Sequence, residues 1–209
     1  MLLAIGVVGH TSREPQARDL AHQLHAAHTS IDDGTLGCTG NHCHTLQHLA
    51  ALDTDYTVIV EDDAQPIDDF THHASAALDH TPAPLVSFYL GTGYPRYWQP
   101  GIKRATLKAD TLGAAWITSE HLLHAVAYAI PTKLIPDLLA HKQQLPIDDM
   151  ITEWARTNGH QVAYTYPSLA DHQDGPTVIT ARVERRHPRR AWRTGTRTTW
   201  HGPTTTLEY

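Results

Sequence analysis

At 209 residues, with 41% hydrophobic and 18% charged residues and a formal net charge of −6, the chain suits one globular domain with a full core. No apolar run approaches the roughly 18 residues of a membrane span, so the sequence carries no expected transmembrane segment. Two cysteines, Cys38 and Cys43, are too few for a disulfide framework and favour a reducing, cytoplasmic setting.

Leu2 to Val8 reads as a central strand rather than a signal peptide, because no basic segment precedes it and a helical pattern follows. Gly9 to Ser12 is a loop, with Ser12 as the expected N-cap of a helix placing Ala17, Leu20, Ala21, Leu24 and Ala27 on one face. A short strand is expected around Thr29 to Ile31, ended by Asp32-Asp33-Gly34. Gly37 to His44 then leads into a helix through Leu46, Leu49 and Ala50. Tyr56 to Val60 is a buried strand, β-branched and aromatic, that runs straight into Glu61-Asp62-Asp63. Pro66 is expected to open a helix with Ile67, Phe70, Ala74, Ala77 and Leu78 inward.

Pro84 to Leu90 is another buried strand, followed by a long loop over Gly91 to Gly101 rich in aromatics, Gly and Pro. A strand over Gly113 to Ile117, a helix from Ser119 to Ala129 and a further helix from Pro131 to His141 come next. Asp148-Asp149 precede a helix ended by Gly159, Gln161 to Tyr166 is the last expected strand, and Pro167 to Pro176 is a polar loop. Beyond Thr180 periodicity fades: between Arg182 and Arg197 there are seven Arg against one acid, Glu184. The reading is therefore a domain over 1–180 and a basic tail over 181–209. Alternating strands and helices predict an α/β domain with a mostly parallel central sheet flanked by helices.

Three adjacent carboxylates at a strand's carboxyl end repel one another: they read either as a solvated acidic turn after a strand or as a site needing a positive partner, and oxygen ligands favour a divalent cation such as Mg2+ or Mn2+. Strand alternation puts Glu61 and Asp63 on one side and Asp62 on the other, so Asp63 is the first choice of ligand, with Glu61 beside it. Asp148-Asp149 suits a helix N-terminus, yet a paired acid there also suits a general base. Asp171-His172 matters only if its loop folds back over the metal. His44 and His48 have an i, i+4 spacing able to chelate zinc, but Cys38 and Cys43 lack the usual zinc spacing, so a Gly-rich turn entering a helix is the better reading of that stretch. Most of the seventeen His read as solvated surface. The chain has no Gly-rich phosphate-loop, dinucleotide or nucleophile-elbow motif.

Taken in order, Asp32-Asp33-Gly34, Gly37-Cys38-Thr39-Gly40-Asn41-His42, Val58-Ile59-Val60-Glu61-Asp62-Asp63-Ala64, Gly113-Ala114-Ala115-Trp116, Pro146-Ile147-Asp148-Asp149 and Pro167-Ser168-Leu169-Ala170-Asp171-His172-Gln173-Asp174 resemble nucleotide-sugar glycosyltransferases of the GT-A fold. The likeness is to the lipooligosaccharide-type family 25 and to small glycosyltransferase-like proteins of actinobacteria and their phages, over about residues 1 to 180. It implies a single GT-A-like (Rossmann-like) domain, a nucleotide-sugar donor and Mn2+ or Mg2+ as cofactor. The acceptor would be a glycan, a protein or a modified DNA base, and a phage-encoded protein would act in the host cytoplasm. The metal site implied is Asp63, Glu61 and His172. The implied donor site is Gly9, His10, Thr11 and Arg13, with Asp62 in the acidic motif and Asp32 or Asp33 near the nucleoside. Asp148 or Asp149 is implied as the base of an inverting reaction. Tyr94, Trp98 and Trp116 offer flat surfaces to sugar or acceptor. Asn41-His42 departs from the Ser-His frequent in family 25, and the short chain leaves room only for a small acceptor subdomain. The rival readings are a nucleic-acid-binding module built on the Arg-rich stretch, an inactive nucleotide-sugar-binding relative, and a metal-dependent phosphotransferase or nuclease using the same acids.

Overall fold

The computed structural model describes residues 1–141, 145–173 and 189–209. Residues 174–176 of the polar loop, and Arg182, Arg185 and Arg186 of the basic stretch, lie outside the described residues.

Strand β1 (Leu3–His10) is buried along its middle, with Ile5 and Val7 in one core and Ala4 and Val8 in the other. A 3-10 turn over Thr11–Arg13 leads into α1 (Glu14–Gln23). Ser12 sits inside that turn, where its N–H donates to His10 Nδ1, so it is not the helix cap expected of it. The chain continues through β2 (His28–Asp32), α2 (Gly37–Leu49) and β3 (Tyr56–Glu61). Pro66 closes a strand, β4 (Ala64–Pro66), instead of opening a helix; α3 (Phe70–Leu78) begins only after Asp69, which takes a left-handed conformation at φ 54°.

Strand β5 (Leu85–Ser87) is shorter than expected, and the loop after it ends in a 3-10 turn and then α4 (Gln99–Leu112), closed by Gly113 at φ 60°. Next come β6 (Trp116–Ser119) and β7 (Ala127–Pro131). The helix expected from Ser119 to Ala129 does not form. Ala127, Tyr128, Ala129 and Ile130 are buried and pair with β3 on one side and β5 on the other. α5 (Ile135–Ala140), α6 (Ile147–Thr157), β8 (Val162–Thr165), β9 (Ala170–His172) and β10 (Thr204–Thr206) complete the chain.

The central sheet has eight strands in the order β10-β6-β8-β5-β7-β3-β1-β2. It is mostly parallel: β7 runs against both its neighbours and β6 against β8, while β2, β1 and β3 are parallel to one another, as are β5 with β8 and β6 with β10. One face packs against α1 and α3 through Leu20, Phe70 and Leu78; the other packs against α2, α4, α5 and α6 through Leu46, Ile102, Leu138 and Trp154. This is the expected α/β domain with a Rossmann-like sheet flanked by helices.

Residues 189–209 are not a separate tail. β10 adds an edge strand beside β6, Trp200 is 2% exposed against Trp116, and Arg197 donates to the carbonyls of Gly113, Ala114 and Tyr166. Composition set this segment apart, but Arg190, Arg193 and Arg197 close acids and loop carbonyls of the body.

Candidate active site

Because β1 pairs with β2 on one side and β3 on the other, the chain reverses direction across the sheet at β1, and a crevice opens beyond the carboxyl ends of these three strands. A cleft of about 770 Å³ lies there. Its walls include Gly9, His10, Arg13, Asp32, Asn41, His42, Glu61, Asp62, Asp63, Tyr94, His124, Asp148, His172 and Arg189.

The three acids after β3 take different partners. Glu61 continues the alternation of Ile59 toward α2 and meets His42, whose Nε2 lies 3.3 Å from Glu61 Oε1. The other ring nitrogen of His42 lies 3.2 Å from Tyr128 Oη. Asp62 faces the opposite side: Arg13 pairs with its Oδ1, and the His10 N–H donates to its Oδ2 at 2.9 Å. Gly9 is required at this crossing, since a Cβ would stand 2.7 Å from Ala17 Cβ and 3.2 Å from Asp62 Oδ2. The expected alternation stops here, because the chain turns after Glu61. Asp63 therefore joins Asp62 at Arg13, 3.3 Å from Asp63 Oδ2.

The small antiparallel sheet explains the arrival of His172. β4 follows the acids directly and pairs with β9, with Ala64 opposite His172, and the Gln173 N–H donates to Asp63 O at 2.7 Å. His172 Nε2 thus comes to 3.5 Å from Asp63 Oδ2. Asp171, its neighbour, accepts from the Ala191 N–H and pairs with Arg190, which sets Arg189 at the cleft wall.

Burial works against the charge on Asp63, but His172, Arg13 and Arg189 outweigh it and hold the carboxyl below its ordinary value. Burial raises Asp62 despite Arg13 and the His10 N–H, whereas the same acids raise Arg13 against its own burial. With a guanidinium and an N–H both donating to it, Asp62 is held as the carboxylate. His124 is pushed down to about 3 by burial, with Arg189 and His172 adding repulsion, and stays neutral. At the start of α6, burial and then Asp149 raise Asp148 to about 6.

The sequence-predicted residues divide cleanly. Gly9, His10, Arg13, Asp32, Glu61, Asp62, Asp63, Tyr94, Asp148 and His172 line the cleft. Asp32 is already engaged, accepting from the N–H groups of Leu36 and Gly37 at the start of α2. Thr11, Asp33 and Asp149 are exposed outside the cleft wall, Asp33 turning to the Thr35 N–H. Trp98 and Trp116 are core residues, 6% and 1% exposed: Trp98 packs on His121 and Tyr209, and Trp116 donates to Trp200 O. A flat ring expected to face sugar instead fills the interior.

Asp63 suits a divalent cation: its Oδ1 is buried and has no hydrogen-bond partner among the described residues, and its other oxygen lies beside an imidazole. Glu61 does not join Asp63 and His172 as a compact trio. Among the described residues it groups instead with Cys38 and His42, ligand atoms all within 4.8 Å of one another. No site role is expected from sequence for Asn41, His124 or Arg189; Asn41 enters there only as part of the departure Asn41-His42. Asn41 donates to Gly9 O and Ser30 O and ties α2 to β1 and β2. Arg189 was visible only as one of an Arg-rich run, and nothing in the sequence marks His124.

No protein-family model matches the chain. No curated protein matches it either. Among solved structures, the chain is similar to A197 from STIV, at 10% identity and a TM-score of 0.46, over 88% of this chain and 100% of that one.

Proposed function

We propose that the protein is a glycosyltransferase whose cleft takes a nucleotide-sugar donor and moves the sugar to an acceptor hydroxyl. One observation carries this reading: Arg13, Asp63, His172 and Arg189 share a cleft of about 770 Å³ with Asp148, a carboxyl of raised pKa. A departing diphosphate gathers negative charge and needs fixed positive charge beside it. Arg13 and Arg189 offer planar guanidinium groups for that purpose. Asp63 and His172 would hold Mn2+ or Mg2+, with Glu61 reached through water; such an ion, when bound, offsets the charge of the diphosphate oxygens.

Asp148 acts as the base. It takes the acceptor hydroxyl proton as the oxygen attacks the anomeric carbon and the bond from that carbon to the diphosphate oxygen breaks, with inversion. Its elevated pKa, about 6, leaves it ionised at neutral pH yet more basic than an ordinary Asp. Tyr94, 43% exposed at the rim, offers an aromatic face to the acceptor, whether glycan, protein or modified DNA base. The described Arg side chains near the C-terminus speak against a free basic surface for nucleic acid: Arg190 pairs with Asp171, Arg193 with Asp110, and Arg197 donates to carbonyls.

Asp63→Asn in the full chain tests the reading. With Mn2+ and an intact donor that the parent chain cleaves, nucleotide release should fall by about 10²–10³, the range for losing one preorganised electrostatic group. Unchanged turnover in the variant would remove Asp63 from the machinery. Phosphate release or strand cutting without any sugar donor would move the protein to the phosphotransferase or nuclease class.

A further inference from the structure

A second group of potential ligands lies apart from the cleft. His44 and His48 stand one turn apart on α2, and β2 begins at His28 directly beside them. The three residues each offer a ring nitrogen, and these nitrogens all lie within 4.8 Å of one another. The His28 and His48 rings are stacked with centroids 4.1 Å apart, and the His28 and His44 centroids are 5.7 Å apart. His28 Nε2 is buried with no hydrogen-bond partner among the described residues.

The framework that holds them is rigid. Thr45, Leu46 and Leu49 are fully buried under α2, so the opposite flank of that helix is fixed beside β2. His44 and His48 are exposed and free to change rotamer, while His28 is half-buried. Imidazoles packed together without a counter-charge disfavour protonation; burial of His28, with His48 and His44 adding repulsion, lowers its pKa. Three imidazole nitrogens within reach of one another are the donor set of a borderline-soft cation.

We propose that His28, His44 and His48 form a binding site for a divalent transition-metal ion of the zinc type, with its fourth position open to water. Zinc–nitrogen bonds of about 2.0–2.1 Å put tetrahedral ligand atoms roughly 3.3 Å apart. The nitrogens must therefore close from within 4.8 Å, by turning the exposed His44 and His48 rings out of the stack. The bound ion would clasp the start of β2 to the exposed flank of α2, apart from Cys38 and His42, which line the cleft.

The test uses the full, untagged, chelator-treated chain in a Cys38→Ser background, so that the Cys38–His42–Glu61 group does not compete. Zn2+ is titrated by calorimetry, and Co2+ binding is followed by visible absorption. The expected result is one tight Zn2+ per chain and tetrahedral Co2+ bands. Both should be lost, with affinity falling more than about 100-fold, in His44→Ala and in His48→Ala, a larger effect than losing an outer-sphere partner. Both changed residues are exposed, so these variants should keep the parent's circular dichroism. Asp63→Asn should retain the ion. Weak, multiple Zn2+ binding, or tight binding untouched by either His variant, would overturn the site.

Discussion

Asp148, the proposed base, sits in an environment that gives two opposite pH effects. Burial, then Asp149, raises it from 3.8 to about 6 in the folded chain. In the proposed role of base it must be ionised, so kcat/KM should climb as pH rises through about 6 and then level off. Asp148→Asn should lower turnover by about 10²–10⁴ while sparing donor binding, read by calorimetry. Stability runs the other way. A folded-state pKa above the unfolded one favours the protonated fold; that contribution is complete below 3.8 and is lost as pH rises through about 6. At pH 7 the buried charge costs up to about 2–3 kcal/mol, so Asp148→Asn should be the more stable protein in urea at that pH and lose its advantage near pH 4. A variant no more stable than its parent at pH 7 would mean that Asp148 is solvated. Asp63, held below its ordinary value by His172, Arg13 and Arg189, has no such effect to relieve, and removing its charge leaves Arg13 with Asp62 alone among the described residues.

Elements, rather than single side chains, set the cleft's shape, and close helix-to-strand packing fixes α2. A Cβ at Gly6 would stand 2.6 Å from Thr45 Cγ2 and 2.8 Å from Leu49 Cδ1, so Gly6→Ala should cost about 1–3 kcal/mol in a denaturant titration by forcing α2 off β1. At the far edge of the sheet, Trp200→Ala should cost about 3–5 kcal/mol, whereas a detached tail would register no more than about 0.5. These two sites mark what the sequence made legible. β1, β2, β3 and α6 carry local signals strong enough to read: continuous apolar runs, the Asp32-Asp33-Gly34 stop, and an Asp pair at one end with Gly159 at φ 68° past the other. β7 misled because Ala127 and Ala129 favour helix intrinsically, and only pairing with β3 and β5 decides otherwise. α4 was hidden behind a Gly- and Pro-rich run, although Ile102, Ala105 and Ala109 have helical spacing and Gly113 ends it. The partnership of Asp63 with His172 depends on β4 pairing with β9, a contact no local pattern announces. Trp98 and Trp116 look alike as exposed or buried rings in one dimension; the packing of Tyr209 and Trp200 on them places both inside.

For the molecule as a whole, one sheet with helices on both faces leaves its open edge at the carboxyl ends of β1, β2 and β3, and Arg13, Asp62, Asp63, His124 and Asp148, each shifted in protonation, line the cleft there. No described helix is long and apolar enough to cross a membrane. The formal charge of −6 gives the body no general affinity for polyanions, so an anionic donor must be drawn by the local cations Arg13 and Arg189. The most direct measurement is thermal unfolding of the full chain with UDP-, GDP-, CMP- and dTDP-sugars, each with and without Mn2+. At about 100 times its dissociation constant a donor adds about 2.7 kcal/mol, a rise of roughly 5–10 °C for a chain of this size. Such a rise is expected with one nucleotide class, larger with Mn2+ and lost in Asp63→Asn. No rise with any donor, alongside a clear rise with oligonucleotides, would contradict it.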